Sequence, residues 1–265
     1  LKFLWGDDMV KWKKTEKDCF EYLKEKYQNV SFEYKGNSAS TEPDVVVILD
    51  NGDRFNIEIK SSSAQCGQFV MLAEDDKFVL STKNRSLAEI SKPFLEYMNE
   101  HFDELKLPGT EGKSIDLDTN VLAEWIVKYY AAKGTKFFVT KYKRKIVIFP
   151  LDKIEEYFEI RCTYRVKKSG SRNVPQKCAR AIKKAFGKDY YYEGKYFILK
   201  DMTLKEKEII KCHDCEFYVS EKRPDGYKIT ILCETKNATV VFGVKAKKAQ
   251  DEQDLKLFEE ALEGN

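Results

Sequence analysis

Asp44, Glu58 and Lys60 form the pattern PD–x13–EIK, two carboxylates and an ammonium within one short stretch of chain. With the backbone carbonyl of Ile59, the carboxylates offer the hard oxygen donors that magnesium takes while leaving places for water and phosphate. A lysine beside them can orient or deprotonate a water, or offset charge building on a phosphate. The chemistry such a set supports is metal-assisted hydrolysis of a phosphodiester. Cys66 has no histidine near it in sequence, which argues against a covalent nucleophile.

For these groups to meet, the chain must fold back between them. Residues 45–49 are an apolar run, and Asp50-Asn51-Gly52-Asp53 is a strong turn signal. Phe55, Ile57 and Ile59 then alternate with Asn56, Glu58 and Lys60, so a strand here has one apolar face and one bearing Glu58 and Lys60. A hairpin therefore brings Asp44 to Glu58 and Lys60. Residues 14–27 read as an amphipathic helix with Cys19, Phe20, Leu23 and Tyr27 on its stripe. That places Glu16 in the first turn, where an acid complements the helix dipole; a role at the metal site competes with this explanation. The serines at 61–63 stand where they can cap a following helix. Gln65 and Gln68 carry amides able to reach a phosphate or a base edge.

A second stretch is basic. Residues 161–188 hold ten lysines and arginines and no acid, although the whole chain carries a formal charge of only +3. Tyr164, Arg165, Lys167, Lys168, Ser169, Gly170, Ser171 and Arg172 combine a glycine turn with many donors. Beside a major groove an arginine reads guanine with two hydrogen bonds, worth about 1–3 kcal/mol of discrimination, while lysines and serines anchor phosphates. Arg180 and Lys184, four residues apart on the helix that follows, share a face. The competing explanation throughout is a solvated basic surface.

Composition places these stretches in a soluble globular protein of 265 residues, 42% apolar and 34% charged, long enough for one to three compact units. The pattern predicts an α/β (α+β) fold: a mixed sheet flanked by helices, with smaller mixed-sheet domains beside it. Residues 9–110 are expected to form a catalytic domain, 111–188 a recognition domain and 189–265 an accessory DNA-binding domain, with approximate boundaries and interleaving of the domains allowed. Strands at 191–199, 217–220, 227–233 and 239–244 and a terminal helix at 252–262 belong to that third unit. No apolar run is long enough for a transmembrane helix. Seven irregularly spaced cysteines and no secretory leader pattern predict a reducing compartment, the cytoplasm. Residues 1–8 read as additional to a start at Met9. Cys212-His213-Asp214-Cys215 invites a zinc reading, but one CxxC lacks two of the four ligands a structural site needs, so a turn is preferred. No P-loop or GxGxxG signature occurs.

Asp44, Glu58 and Lys60 resemble the PD-(D/E)xK nuclease superfamily. QCGQFVML at 65–72, NVLAEWIVKYY at 120–130, KFFVT at 136–140 and CTYRVKKSGSR at 162–172 are similar, in order and spacing, to the HhaI-type restriction endonucleases. The resemblance covers residues 11–172 well and continues weakly to the terminal helix. It implies a three-domain type II restriction enzyme with a magnesium-dependent site at Asp44, Glu58 and Lys60, and recognition through residues 165–172 and the Gln65–Gln68 corner. It also implies double-stranded DNA containing GCGC, cut to leave a two-base 3′ overhang. The enzyme would be a monomer acting on one strand at a time, paired with a cognate DNA methyltransferase. Two departures are able to re-aim the hairpin: Pro43 where the family motif has serine, and a turn to Glu58 two residues longer. A less specific PD-(D/E)xK repair or recombination nuclease, or a DNA-binding module with an inactive site, are the alternatives.

Overall fold

Alternating apolar residues and a tight turn build the first sheet as the sequence predicts. The computed structural model describes residues 5–35, 42–109, 111–166, 170–194, 196–206, 208–212, 215–233 and 238–264, with side chains described except at 5–11, 83, 85, 170–172, 177, 212, 215 and 233. Helix α1 (Trp5–Lys26) leads to β1 (Ser31–Tyr34) and the hairpin β2 (Val45–Ile48) and β3 (Arg54–Ile59). The hairpin tip is closed by Gly52 at φ 87°, a conformation glycine adopts without a Cβ penalty, and by a hydrogen bond from the Gly52 N–H to the Leu49 carbonyl at 2.9 Å. The chain then runs through β4 (Ser63–Glu74), β5 (Lys77–Leu80), α2 (Ala88–Glu100), α3 (Phe102–Leu105), β6 (Lys113–Ser114) and α4 (Thr119–Ala131). It returns in β7 (Thr135–Tyr142), which lies parallel to β3, and turns back in β8 (Lys145–Pro150). Parallel pairing needs a long crossover, and everything from β4 to α4 is that crossover. The resulting order is β1-β2-β3-β7-β8.

Beyond α5 (Ile154–Tyr157) come β9 (Phe158–Val166), β10 (Gly170–Asn173), α6 (Gln176–Phe186), β11 (Tyr190–Glu193), β12 (Tyr196–Leu199), β13 (Ile209–Cys212), β14 (Cys215–Arg223) and β15 (Gly226–Cys233). The chain ends with β16 (Ala238–Ala246) and α7 (Glu252–Leu262). A second sheet has the order β5-β4-β16-β9-β6; the third is β11-β12-β15-β14-β13, with β10 also on β15. The fold is mixed α/β, as expected.

The chain divides into two compact units, Leu1–Arg165 with Ala238–Asn265, and Val166–Asn237. The divisions expected at 110 and 188 fall inside these units. Nor do β16 and α7 belong with the strands that precede them: β16 pairs antiparallel with β4, and Phe258 of α7 enters the core of the first sheet beside Phe137 at 5.0 Å. That core also contains Cys19 and Leu23 of α1 and Val45, Val47, Phe55, Ile57 and Ile59 of the hairpin, the apolar parity of the sequence. In the second unit Ala179 and Ile182 of α6 pack with Phe197, Phe217 and Ile229 of its sheet.

Two further differences bear on the site. Helix α1 starts at Trp5, not near 14, so Glu16 lies in the middle of a 22-residue helix and the dipole explanation for it fails. The serines at 61–63 cap no helix; Ser63 opens the 12-residue strand β4. The outer edge of β8 is closed by a side chain: Gln250 accepts from the Ile148 N–H at 2.7 Å and donates to the Ile148 carbonyl at 2.8 Å, as a neighbouring strand would.

Candidate active site and nucleic-acid interface

The hairpin register decides whether the carboxylates meet. Val45 pairs with Ile57 and Val46 with Asn56, so Asp44 falls opposite Glu58 by continuation. The Ile59 N–H donates to Asp44 Oδ2 at 2.8 Å, and the Lys35 N–H donates to the Asp44 carbonyl at 2.8 Å. Pro43 and the lengthened turn therefore leave the pairing intact. On the other side the Lys60 N–H donates to Val139 of β7 at 2.9 Å. Successive backbone groups along a strand point to opposite neighbours, so the Ile59 carbonyl faces the Asp44 side. Asp44, Glu58, Lys60 and the Ile59 carbonyl thus converge at one end of the first sheet.

Burial shapes their charge. Glu58 is only 5% exposed and forms an ion pair with Lys60. Burial raises the Asp44 carboxyl to about 7, and the Glu58 charge adds to this, against the lowering effects of Lys60 and the Ile59 N–H. Burial opposes the Lys60 charge, but Glu58, the largest of the opposing influences, helps hold its pKa well above the usual lysine value. Glu16, 8% exposed, joins the same field: Tyr34 donates to its Oε2 at 3.0 Å, and burial raises its carboxyl. No group of three acidic, histidine or cysteine side chains with metal-holding geometry occurs among the described residues. Two carboxylates and a carbonyl nevertheless match what magnesium asks of a protein, because it keeps several waters. The crowding that holds Asp44 near 7 is what a divalent cation would relieve.

Two residues outside the sequence-derived set complete the surroundings. Thr140 Oγ1 donates to the Lys60 carbonyl at 2.8 Å, and the Lys60 ammonium lies over the Tyr130 ring, 5.6 Å from its centroid. Tyr130 stands at i+8 and i+4 from Leu122 and Ile126, so helical periodicity marks it as inward-facing. Thr140 becomes visible only once β7 is known to lie beside β3.

Gln65 and Gln68 are three apart on β4, and strict alternation would send them to opposite faces. A β-bulge intervenes. Gln68 pairs with Val241 and Gln65 with Gly243, so Cys66 and Gly67 together face the single residue Phe242. Both glutamines emerge exposed, with Gln65 Nε2 donating to Gln68 Oε1 at 3.1 Å, while Cys66 and Phe69 turn inward. Gly67 has φ 105°, and a Cβ there would lie 2.7 Å from the Trp125 ring.

The structure of HhaI endonuclease in complex with DNA matches this chain with a TM-score of 0.77 and 35% sequence identity, covering 94% of this chain and 98% of that one. This chain belongs to the HhaI endonuclease family. No family model matches it, and no curated protein does.

Within this HhaI-family chain the remaining candidates sort unevenly. Tyr164 is 1% exposed: its ring meets Phe78 edge-on at 5.4 Å and its hydroxyl donates to the Met71 carbonyl at 3.3 Å. It packs the second sheet and presents nothing to a ligand. Its parity with Ile160 and Cys162, both buried, is the sequence signal for this. Arg165 is half-buried at the end of β9. Lys167, Lys168 and Ser169 lie outside the described residues, and Gly170, Ser171 and Arg172 are described in backbone only, as β10 against β15. Arg180 and Lys184 are exposed on α6, and Lys183 is drawn aside by Asp189 at 2.6 Å. The zinc question at 212–215 involves side chains outside the described set.

Proposed function

We propose that the chain is a magnesium-dependent type II restriction endonuclease of the PD-(D/E)xK kind, hydrolysing double-stranded DNA at a short specific sequence, GCGC. The observation that carries this is Asp44 placed opposite Glu58 with Lys60 paired beside them, in a family whose solved member, HhaI endonuclease, is in complex with DNA. Asp44, Glu58 and the Ile59 carbonyl would hold the cation, which supplies Lewis-acid charge and lowers the pKa of water. Lys60 would orient or activate the attacking water and stabilise charge on the phosphate oxygens. Water attacks phosphorus, the P–O3′ bond breaks, and the products are a 5′-phosphate and a 3′-hydroxyl. Glu16, whose Oε2 accepts from Tyr34, is a further candidate that acts through its charge on Asp44 and Lys60. Gln65 and Gln68 are the base-reading candidates on β4; Arg165, residues 167–172, Arg180 and Lys184 are candidates for phosphate and base contacts. A cognate methyltransferase, a cytoplasmic location and a monomeric state accompany this reading.

End-mapping on methylated and unmethylated duplexes, with magnesium or with EDTA, tests it. Discrete two-base 3′ overhangs at GCGC, lost on methylation and with EDTA, are expected. Scattered ends would favour the repair or recombination alternative, and tight binding without cutting the inactive module. Lys60→Ala is expected to abolish cutting while duplex affinity persists; cleavage by this variant at the parent rate would remove Lys60 from the mechanism.

A further inference from the structure

We propose that Trp125, stacked on Phe242 and lying against Gly67, is a positioning residue for sequence recognition. It fixes the β4 bulge that sets Gln65 and Gln68 side by side, an inference that rests on the site-specific reading above. Two residues three apart on a strand share a face only while an extra residue stands between them. If that extra residue moves along the strand and out of the interval, one glutamine turns to the inner face. It has to be held at Cys66 and Gly67.

Both strands of the bulge rest on one indole. On β4, Gly67 has φ 105°, and a Cβ there would lie 2.7 Å from the six-membered ring of Trp125. Lacking one, the Gly67 backbone comes up against that ring. On β16, Phe242 is the single residue facing the bulge, and it stacks on Trp125 with ring centroids 4.2 Å apart and an interplanar angle of 15°. The indole is itself fixed. Its Nε1–H donates to Ser91 Oγ of α2 at 3.0 Å, and the rings of Phe69 and Tyr129 pack against it at 5.5 Å and 4.9 Å. Trp125 and Ser91 are each 1% exposed, so the indole N–H has no bulk water to take in place of Ser91. A stacked and hydrogen-bonded ring keeps one orientation, and the bulge it supports keeps one register. Gln65 and Gln68 thus come to DNA already paired, Nε2 to Oε1 at 3.1 Å, with less freedom left to lose on binding.

The test compares a duplex bearing the site mapped for the parent with duplexes changed at one base pair, in the full chain. Affinity, single-turnover cleavage and thermal melting are measured, and the ratio between cognate and altered duplexes is the readout. Trp125→Phe keeps an aromatic ring but loses the indole N–H and the outer ring atoms. It is expected to lower the ratio about 10-fold, the effect of one misplaced base contact. The cleavage rate at saturating cognate duplex should stay within about threefold, because no group at Asp44, Glu58 or Lys60 is touched. Ser91→Ala is expected to lower the ratio in the same direction and by less. Gln68→Ala should cost less discrimination in the Trp125→Phe background than in the parent. Phe258→Leu, in the core of the first sheet, reports loss of stability alone: its melting temperature should fall with the ratio unchanged. A folded Trp125→Phe protein with parental discrimination overturns the proposal, and so does a Gln68→Ala effect equally large in both backgrounds. A parent that gives scattered ends and binds all the duplexes alike fails the site-specific reading, and the proposal falls with it.

Discussion

Asp44 sits at a cost to the metal-free protein. Its carboxyl is raised to about 7 in the fold by burial and by Glu58, while the ordinary value is 3.8. A raised carboxyl binds its proton more tightly when folded, so this contribution is neutral below the ordinary value. It turns unfavourable as pH climbs from about 4 to about 7, and the penalty persists above that. Asp44→Asn should therefore stabilise the metal-free protein at pH 8, on the order of 2–4 kcal/mol, and change little at pH 4. Melting curves at the two pH values check this, and added magnesium should raise the parent's midpoint but not the variant's. Tyr164 makes the opposite point. Met71 and Phe78 hold it, so Tyr164→Ala should lower stability by about 3–5 kcal/mol, visible in denaturant titration, with the mapped cleavage sequence unchanged. The hairpin residues were legible because parity and turn chemistry are local. Glu16 was not, because its meaning depends on where α1 begins, and Thr15-Glu16-Lys17-Asp18 has the pattern of a helix start although the helix begins at Trp5.

At the scale of elements, the bulge in β4 is the feature that local reasoning could not supply. A bulge is a property of a pair of strands, and the partner, β16, begins at Ala238. The motif QCGQ shows two glutamines three apart; only pairing with Val241 and Gly243 shows that they share a face. Gly67→Ala should cost about 1–3 kcal/mol, because a Cβ there meets Trp125 and the backbone conformation is one that side chains rarely adopt. Its melting temperature should fall, and sequence discrimination should weaken with it. The Gln250 seal on β8 is likewise tertiary: Gln250→Ala should lower stability by about 1–2 kcal/mol and expose Ile148 N–H to hydrogen exchange.

At the scale of the whole molecule, segmentation was the least legible property. The change of character after residue 188 predicts a third domain with an approximate boundary there, but the physical boundary is set by which sheet each strand completes. β16 completes the second sheet and α7 closes the core of the first, so one unit is assembled from both ends of the chain. Truncation after residue 237 should accordingly unfold the hairpin that carries Asp44 and Glu58, measured as lost near-ultraviolet dichroism and rapid proteolysis, even though no candidate catalytic residue is removed. This assembly has a bearing on synthesis. A growing chain passes Lys60 early, yet the strand that pairs with the glutamines and the helix that brings Phe258 follow only after all of Val166–Asn237. On the ribosome the candidate catalytic groups are present long before the strand and helix that complete their unit. The candidate site would thus be assembled only after β16 and α7 have been made.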